Sequence, residues 1–487
     1  MNEFRKIVLP KKTEAKSGYS WATHLRNFEN GRENFIPVDA FNKNLPFSFN
    51  DALKEGVVFE IAIHDYDKVS ENVEVRWFAR VDKVCGYRVL AQFLGCDTKF
   101  WINFLSEEVY SLAHAARVLS TTIKHVYSPP LSVSIEYAQD MKNFVANCIE
   151  GEMVGQTALS PSFDINKATL QSPKFRVGQR IELLNYTLST EIRVARIQKI
   201  CGRRLNVLVC KRDYGKMYPN STDDRQLQSS KEAQYWIDEA SFFIFPVGFA
   251  AVNGYNLFAN ADYKEHTRKI AECIANNRPP VYDRDDVTFD DLRKEPLDPE
   301  LWSRVKVGQK FELIDPLAQS FKNMHVASIL KFCKTDGYMI VGMDGPDALE
   351  ESFPIHVNNM FMFPVGYAEK NNVKLEAPEG FKGIFKWNKY LRDEGAESMP
   401  IELFNPMPST ERLNKFQVGM RLEAADMCEN HFICPATISS MHGRVINVNF
   451  DGWDSEFDEM YDVDSHDIFP IGWCELHNYT LQYPRRS

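Results

Sequence analysis

Short alternating runs of apolar and polar residues, rather than long helical stripes, set the character of this chain. Ile446, Val448 and Phe450 alternate with Asn447 and Asn449, which turns one face of that segment to a core and the other to water. Leu205, Val207 and Val209 repeat the rhythm. Such runs follow Gly86, Gly202, Gly337 and Gly443, and short strands with glycine punctuation predict small, closed antiparallel sheets. Between them the apolar spacing becomes helical over Ser134 to Ile149 and Ala261 to Asn277. The expected class is mainly β with helical arms.

The runs belong to a repeat of long period. Val-Gly-x-x-apolar-Glu occurs at Val177 to Glu182, Val307 to Glu312 and Val418 to Glu423, with a weaker copy from Glu55 to Glu60. Its glycines, Gly56, Gly178, Gly308 and Gly419, are spaced by 122, 130 and 111 residues, the size of a domain rather than of a solenoid turn. Phe-Pro-Val/Ile-Gly-aromatic closes the last three units and ends on Phe249, Tyr367 and Trp473, which read as core aromatics. Ahead of the β regions, Trp21 to Leu25 followed by Pro37 to Asn42 is similar to Trp387 to Leu391 followed by Pro400 to Asn405. Each unit thus reads as a partly helical arm leading into a β core. Four units are expected, at 19–132, 133–260, 261–378 and 379–484, the second interrupted by a polar surface loop from Cys210 to Gln234.

A chain of 487 residues exceeds what one hydrophobic core supports, and 44% hydrophobic content predicts folding over most of its length. The net charge of -10 argues against strong sequence-specific nucleic-acid binding and suits a basic partner. No apolar run is long enough for a signal peptide or a membrane span. The ten cysteines contain no Cys-x-x-Cys pair, so a reduced intracellular setting is expected and the sequons at Asn185, Asn220 and Asn478 carry no glycan. His-Glu-x-x-His, Gly-x-Ser-x-Gly, a P-loop and a dinucleotide turn are all lacking, and no cofactor is expected. Cys428 and Cys434, with His431 between them, read as incidental rather than as a nucleophile and its base.

One stretch, Phe416 to Trp473, gathers Asp426, Phe450, Trp453 and Phe457. An acid with three aromatic rings suits a methylated ammonium: the rings offer negative faces and apolar contact, and the carboxylate accepts a hydrogen bond from any remaining N–H. The surrounding Asp451, Asp454, Glu456 and Asp458 form an expected acidic rim.

Gly-Met-Arg-Leu-Glu-Ala from Gly419, Asn-Phe-Asp-Gly-Trp-Asp from Asn449, and Asp-Ile-Phe-Pro-Ile-Gly-Trp-Cys from Asp467 together resemble the malignant brain tumour (MBT) repeat, a relative of the Tudor fold. The fourth unit matches over nearly its whole length and the others in framework, covering about 19–484. The resemblance implies a chromatin reader of lower-methylated lysine on histone tails, nuclear and engaged in transcriptional repression. Each unit would be a small Tudor/SH3-like barrel core preceded by its arm. Asp426, Phe450, Trp453 and Phe457 fall on the family's cage positions, with Phe457 where a Tyr is common.

The same offsets find Ile63, Phe93, Cys96 and Phe100 in the first unit, and Asn185, Val209, Arg212 and Lys216 in the second. The third keeps Asp315 but places Met343, Pro346 and Glu350 where rings belong. One competent cage in four follows. Each ring contributes roughly 0.5 to 2 kcal/mol, so micromolar or weaker affinity is expected. The acid favours mono- and dimethyl-lysine, which retain an N–H, over trimethyl-lysine. Expected partners are a methylated tail of the third core histone, lysine nine first, and other chromatin repressor proteins, with the chain itself a monomer. The alternative is a non-catalytic chromatin scaffold with no methyl dependence. A hydrolase built on the acids near Asp454 is the remaining class.

Overall fold

A computed structural model describes residues 19–26, 34–41, 53–64, 72–118, 123–130, 140–150, 158–170, 173–209, 234–318 and 320–482. The four repeat phrases correspond to four sheets of one topology. In the fourth unit the strands Arg421–Ala425, Ile433–His442, Val445–Phe450 and Glu459–Asp462 form a meander, and Ile468–Phe469 pairs back onto the first strand. The path order 4-3-2-1-5 is identical in every unit. In the first three units a further strand runs parallel to the second, at Lys124–Tyr127, Asn256–Phe258 and Leu375–Glu376; in the fourth a lone bridge between Ile433 and Leu481 stands in that place.

The alternation read from the sequence holds in the fourth unit, where Ile446, Val448 and Phe450 are buried and Asn447 and Asn449 half-buried. In the second unit the intervening Asn206 and Leu208 are buried as well, so that strand is covered on both faces.

Each sheet curls at one β-bulge in its second strand, between Val81 and Lys83, Ile197 and Lys199, Ile329 and Lys331, and Ile438 and Ser440. A bulge bends its strand and increases twist, which is what a small curled sheet needs. The glycine of the first repeat phrase completes this bend. Gly56, Gly178, Gly308 and Gly419 donate their N–H to Val81, Ile197, Ile329 and Ile438 at 2.8, 2.8, 2.8 and 2.9 Å. All four have φ between +85° and +90°, and at Gly56, Gly308 and Gly419 open space lies where a Cβ would stand, so backbone conformation and not crowding selects glycine there.

The glutamate of the same phrase is the centre of each unit. Glu423, buried in the first strand, accepts from the N–H groups of Gly472 (2.7 Å) and Cys474 (2.8 Å), in the closing phrase, and from Trp21 Nε1 (2.8 Å). Glu312 likewise receives Gly366, Ala368 and Trp387 Nε1, and Glu182 receives Gly248, Ala250 and Tyr263. The two distant repeat phrases are thus the two halves of one hydrogen-bonded knot. Burial pushes Glu182 and Glu423 up to about 7. Phe249, Tyr367 and Trp473 are buried beside these knots, as expected of core aromatics.

Trp21 and Trp387 also explain why the two arms have similar sequences. The arm ahead of each core packs on the core before it: backbone bridges join Val58 to Ala158, Arg180 to Asp286 and Lys310 to Ser398. The amino-terminal arm, with the helix Trp21–Arg26, closes the series by bridging Phe35 to Arg421 of the fourth core. The expected helices occur at Met141–Glu150 and Ala261–Ala275; residues 134–139 lie outside the described ones, as does the expected loop except for Gln234, which opens a strand.

Hairpin tips join the units. Arg444 N and His442 O of the fourth unit both bond the Tyr367 hydroxyl of the third (2.9 and 2.7 Å), and Thr335 of the third bonds the Asn253 side chain of the second. Cys201 of the second reaches His477 O of the fourth, so units two, three and four close a triangle. The first unit is attached outside it, with Tyr87 N on Ile471 O at 2.9 Å and Gly86 packed so tightly that a Cβ would fall 2.6 Å from the Ile471 side chain.

Candidate functional site

In the fourth unit, the first strand ends at Ala425 and the third at Phe450, and ladder pairs Leu422–Ala436 and Ala436–Phe450 make these strands run the same way. Asp426 and residues 451–457 therefore leave the sheet at one end. Phe450 is 3% exposed and belongs to the core; Trp453 packs against that core half-buried, and Phe457 is 43% exposed on the short helix Ser455–Phe457. The Trp453 and Phe457 rings stand edge to face, centroids 5.4 Å apart and planes at 75°. Trp453 N bonds Phe450 O at 3.0 Å, which ties the loop to the strand carrying the innermost ring.

Asp426 Oδ1 accepts from the N–H groups of Cys428 (2.9 Å) and Glu429 (2.7 Å), a local turn that fixes the carboxylate. Burial raises its pKa above the usual carboxylate range, with Glu429 adding to the rise. Glu459, which sequence reasoning missed, is buried beside it. Its Oε2 accepts from Met427 N at 3.0 Å and from the Tyr461 hydroxyl, and carboxylate oxygens of Asp426 and Glu459 lie within 4.8 Å of each other and of Cys428 Sγ. Burial, then the neighbouring Asp426, pushes Glu459 up to about 7. The missed signal was positional: Glu459 pairs with Val448 in the strand that follows Phe457, and a charged residue inside a buried strand marks a site to inspect. Two adjacent acids at the sheet end that also carries the rings suit a cation.

The expected acidic rim is half corrected. Asp451 is engaged by Arg421 (2.6 Å) and Thr437 (2.8 Å), and Asp458, 8% exposed, is bonded by Ser439 and Asn449; these two are structural braces, whereas Asp454 and Glu456 are exposed. Cys428 is exposed and Cys434 buried, and burial with nearby carboxylates raises both thiols to about 12, which suits neither to nucleophilic work.

The other three positions differ physically, not only in residue type. In the first unit Ile63 is buried, and Phe93 and Phe100 stack on each other at 4.2 Å, so that each ring covers one face of the other. In the second, Asn185 spends its side chain on Glu191 and Thr187 and Val209 is buried; Arg212 and Lys216 lie outside the described residues. In the third, Asp315 is half-buried and its Oδ1 accepts from Leu317 N, Met343 packs on the core, and Pro346 and Glu350 are exposed. Asp344, bound to Lys310 and Ser328, repeats the brace that Asp451 makes with Arg421 and Thr437.

A family model for the mbt repeat matches residues 179–264, 309–382 and 420–487. The first core, outside those spans, has Ala113 at φ +60° where the others place the glycine of the closing phrase. Protein lin-61 of Caenorhabditis elegans is 65% identical over all of this chain and 80% of its own length, and Malignant brain tumor repeat protein 1 of the same animal is 39% identical over 97% and 87%. Polycomb protein Sfmbt of Drosophila melanogaster is 31% identical over 96% of this chain and 36% of its own. A crystal structure of the four MBT repeats of Drosophila Sfmbt, in complex with the peptide RHR(me)KVLR, superposes with a TM-score of 0.74 at 28% identity, covering 96% of this chain and 99% of that one.

Proposed function

The chain belongs to the MBT-repeat family, and from that premise we propose that its fourth unit reads methylated lysine on a histone tail while the other three units build the platform that holds it. The observation that carries this reading is that Asp426, with Glu459 beside it, leaves the sheet at the same end as the loop bearing the edge-to-face Trp453 and Phe457 pair, next to buried Phe450. A lysine side chain enters end-on, its methyl groups against the rings and its remaining N–H on Asp426. The methylated lysine in the Sfmbt complex sits among arginines and a histidine, and a chain of net charge -10 suits a tail of that kind. Two accessible rings backed by Phe450 yield micromolar affinity, roughly 8 kcal/mol, with mono- and dimethyl-lysine ahead of trimethyl-lysine.

The protein acts in this reading as a non-catalytic nuclear repressor component, and the tail of the third core histone at lysine nine is the first peptide to try. Titrating the full chain with that peptide, unmethylated and in three methyl states, tests it. Trp453→Ala is expected to remove binding while the unfolding temperature holds. Equal affinity for methylated and unmethylated peptide instead identifies a scaffold without methyl dependence.

A further inference from the structure

The loop 426–432 joins the strands Arg421–Ala425 and Ile433–His442 and begins with Asp426. Its first half is fixed within its own unit, by the turn on Asp426 and the bond from Met427 N to Glu459. Its second half is closed by Phe432 N on Glu429 O (2.8 Å) and Asp426 N on Phe432 O (3.1 Å), and is held as well from outside the fourth β core. The Arg204 guanidinium, fully buried in the second unit's hairpin, donates to Asn430 O and at 3.2 Å to Asp467 Oδ1. Trp236 N, on the second unit's Gln234–Asp238 strand, donates to Asn430 Oδ1 at 3.3 Å. The Tyr479 hydroxyl donates to His431 O at 3.0 Å, and its ring stands edge to face with Trp236 at 5.0 Å. Behind this contact a depression of about 90 Å³ opens where units two, three and four meet, lined by Trp236, Phe242, Phe361, Met427 and Asn430 among others.

We propose that Arg204 and Trp236 of the second unit are positioning residues for methyl-lysine recognition in the fourth. They clamp the far end of the loop whose near end presents Asp426. This rests on the reading of the fourth unit given above, and it gives the second unit a task although its own pocket position is filled by Asn185 and Val209. A charged donor bonded to a backbone carbonyl in a buried interface holds that carbonyl far more firmly than water does. Without Arg204 the loop keeps its local turn and the bonds from Trp236 and Tyr479 but loses its one charged donor, and the carboxylate samples more orientations that miss the ammonium.

The test uses the full chain carrying Arg204→Met, Arg204→Lys or Asn430→Ala. Two measurements are made: titration with a dimethyl-lysine peptide and its unmethylated twin, and amide exchange across 427–432. Arg204→Met is expected to weaken dimethyl-lysine binding about tenfold, to shrink the preference over the unmethylated peptide, and to speed loop exchange about tenfold, leaving exchange in the first core unchanged. Arg204→Lys, which keeps the charge but not the fork, falls between. Asn430 is half-buried, so Asn430→Ala folds even where Arg204→Met does not, and it loses about threefold. A folded variant with parental binding and parental loop exchange overturns the clamp. A parent that shows no methyl preference overturns the reading of the fourth unit instead, and loop exchange in the variants still decides whether the second unit holds the loop.

Discussion

The first and fourth units share a bulge, a glycine that completes it and a buried glutamate knot, yet their aromatic pairs do opposite things. Phe93 and Phe100 lie face to face at 4.2 Å and 27°, whereas Trp453 and Phe457 meet edge to face at 5.4 Å and 75°. A stacked pair satisfies its own faces and buries apolar area; an edge-to-face pair leaves a face available. Counting rings therefore says little about binding a cation. The acid decides the rest, since Ile63 stands at the first unit's position and Asp426, with Glu459 behind it, at the fourth's.

The sharpest break of this comparison separates the ring that is core from the ring that is wall. Phe450→Ala removes a 3% exposed side chain and is expected to cost about 3 to 5 kcal/mol, read by denaturant unfolding, so its binding defect carries no information on recognition. A loss below about 1 kcal/mol would show the ring to be peripheral. Asp426→Asn keeps an oxygen for the N–H groups of Cys428 and Glu429 but removes the charge. Dimethyl-lysine affinity is expected to fall about thirtyfold, near 2 kcal/mol, with stability little changed. Trimethyl-lysine binding should suffer less, having no N–H to lose. Calorimetric titrations showing the same loss for all methyl states would remove the hydrogen bond from the mechanism.

The framework was legible because its physics is local. A glycine at positive φ, an alternating strand and a Phe-Pro-x-Gly-aromatic close each leave a mark within a few residues, and the four-unit count followed from them. The link between the two phrases was not legible, since the Glu423 to Gly472 bond spans 49 residues and neither partner looks unusual alone. The arm exchange was half visible: the likeness of Trp21 to Leu25 and Trp387 to Leu391 was on the page, but that each indole serves the glutamate of a core other than the next one is a matter of packing. At the candidate site, Asp426, Trp453 and Phe457 lie at one sheet end, while Glu459 was hidden as one acid among several and Asp451 and Asp458 passed for a rim because their braces come from neighbouring strands.

Glu459 supplies the next test. Its pKa near 7 lies above that of an unfolded glutamate, so the folded chain without ligand favours the protonated form; this contributes stability that is complete below about pH 4.5 and is lost as pH rises through about 7. A bound ammonium favours the ionised pair, so methyl-lysine affinity runs the other way and weakens on acidification. From pH 8 to 5.5 the dissociation constant is expected to rise about tenfold, and Glu459→Gln should flatten the profile. A flat profile in the parent would place the proton elsewhere.

The smallest effect probes the first unit directly. Phe100→Ala breaks the stack with Phe93 and is expected to cost about 1 kcal/mol of stability, since the ring is only half-buried. Methyl-lysine affinity should stay within about twofold of the parent, because the two rings stack on each other and Ile63 stands at the acid's position. The same substitution in an Asp426→Asn background discriminates further. If residual binding there came from the first unit, Phe100→Ala would abolish it; if the fourth unit alone contacts the methylammonium, the double variant will titrate like Asp426→Asn. The stacked pair then stands as what its geometry makes it, two rings closing a barrel end rather than two walls around a ligand.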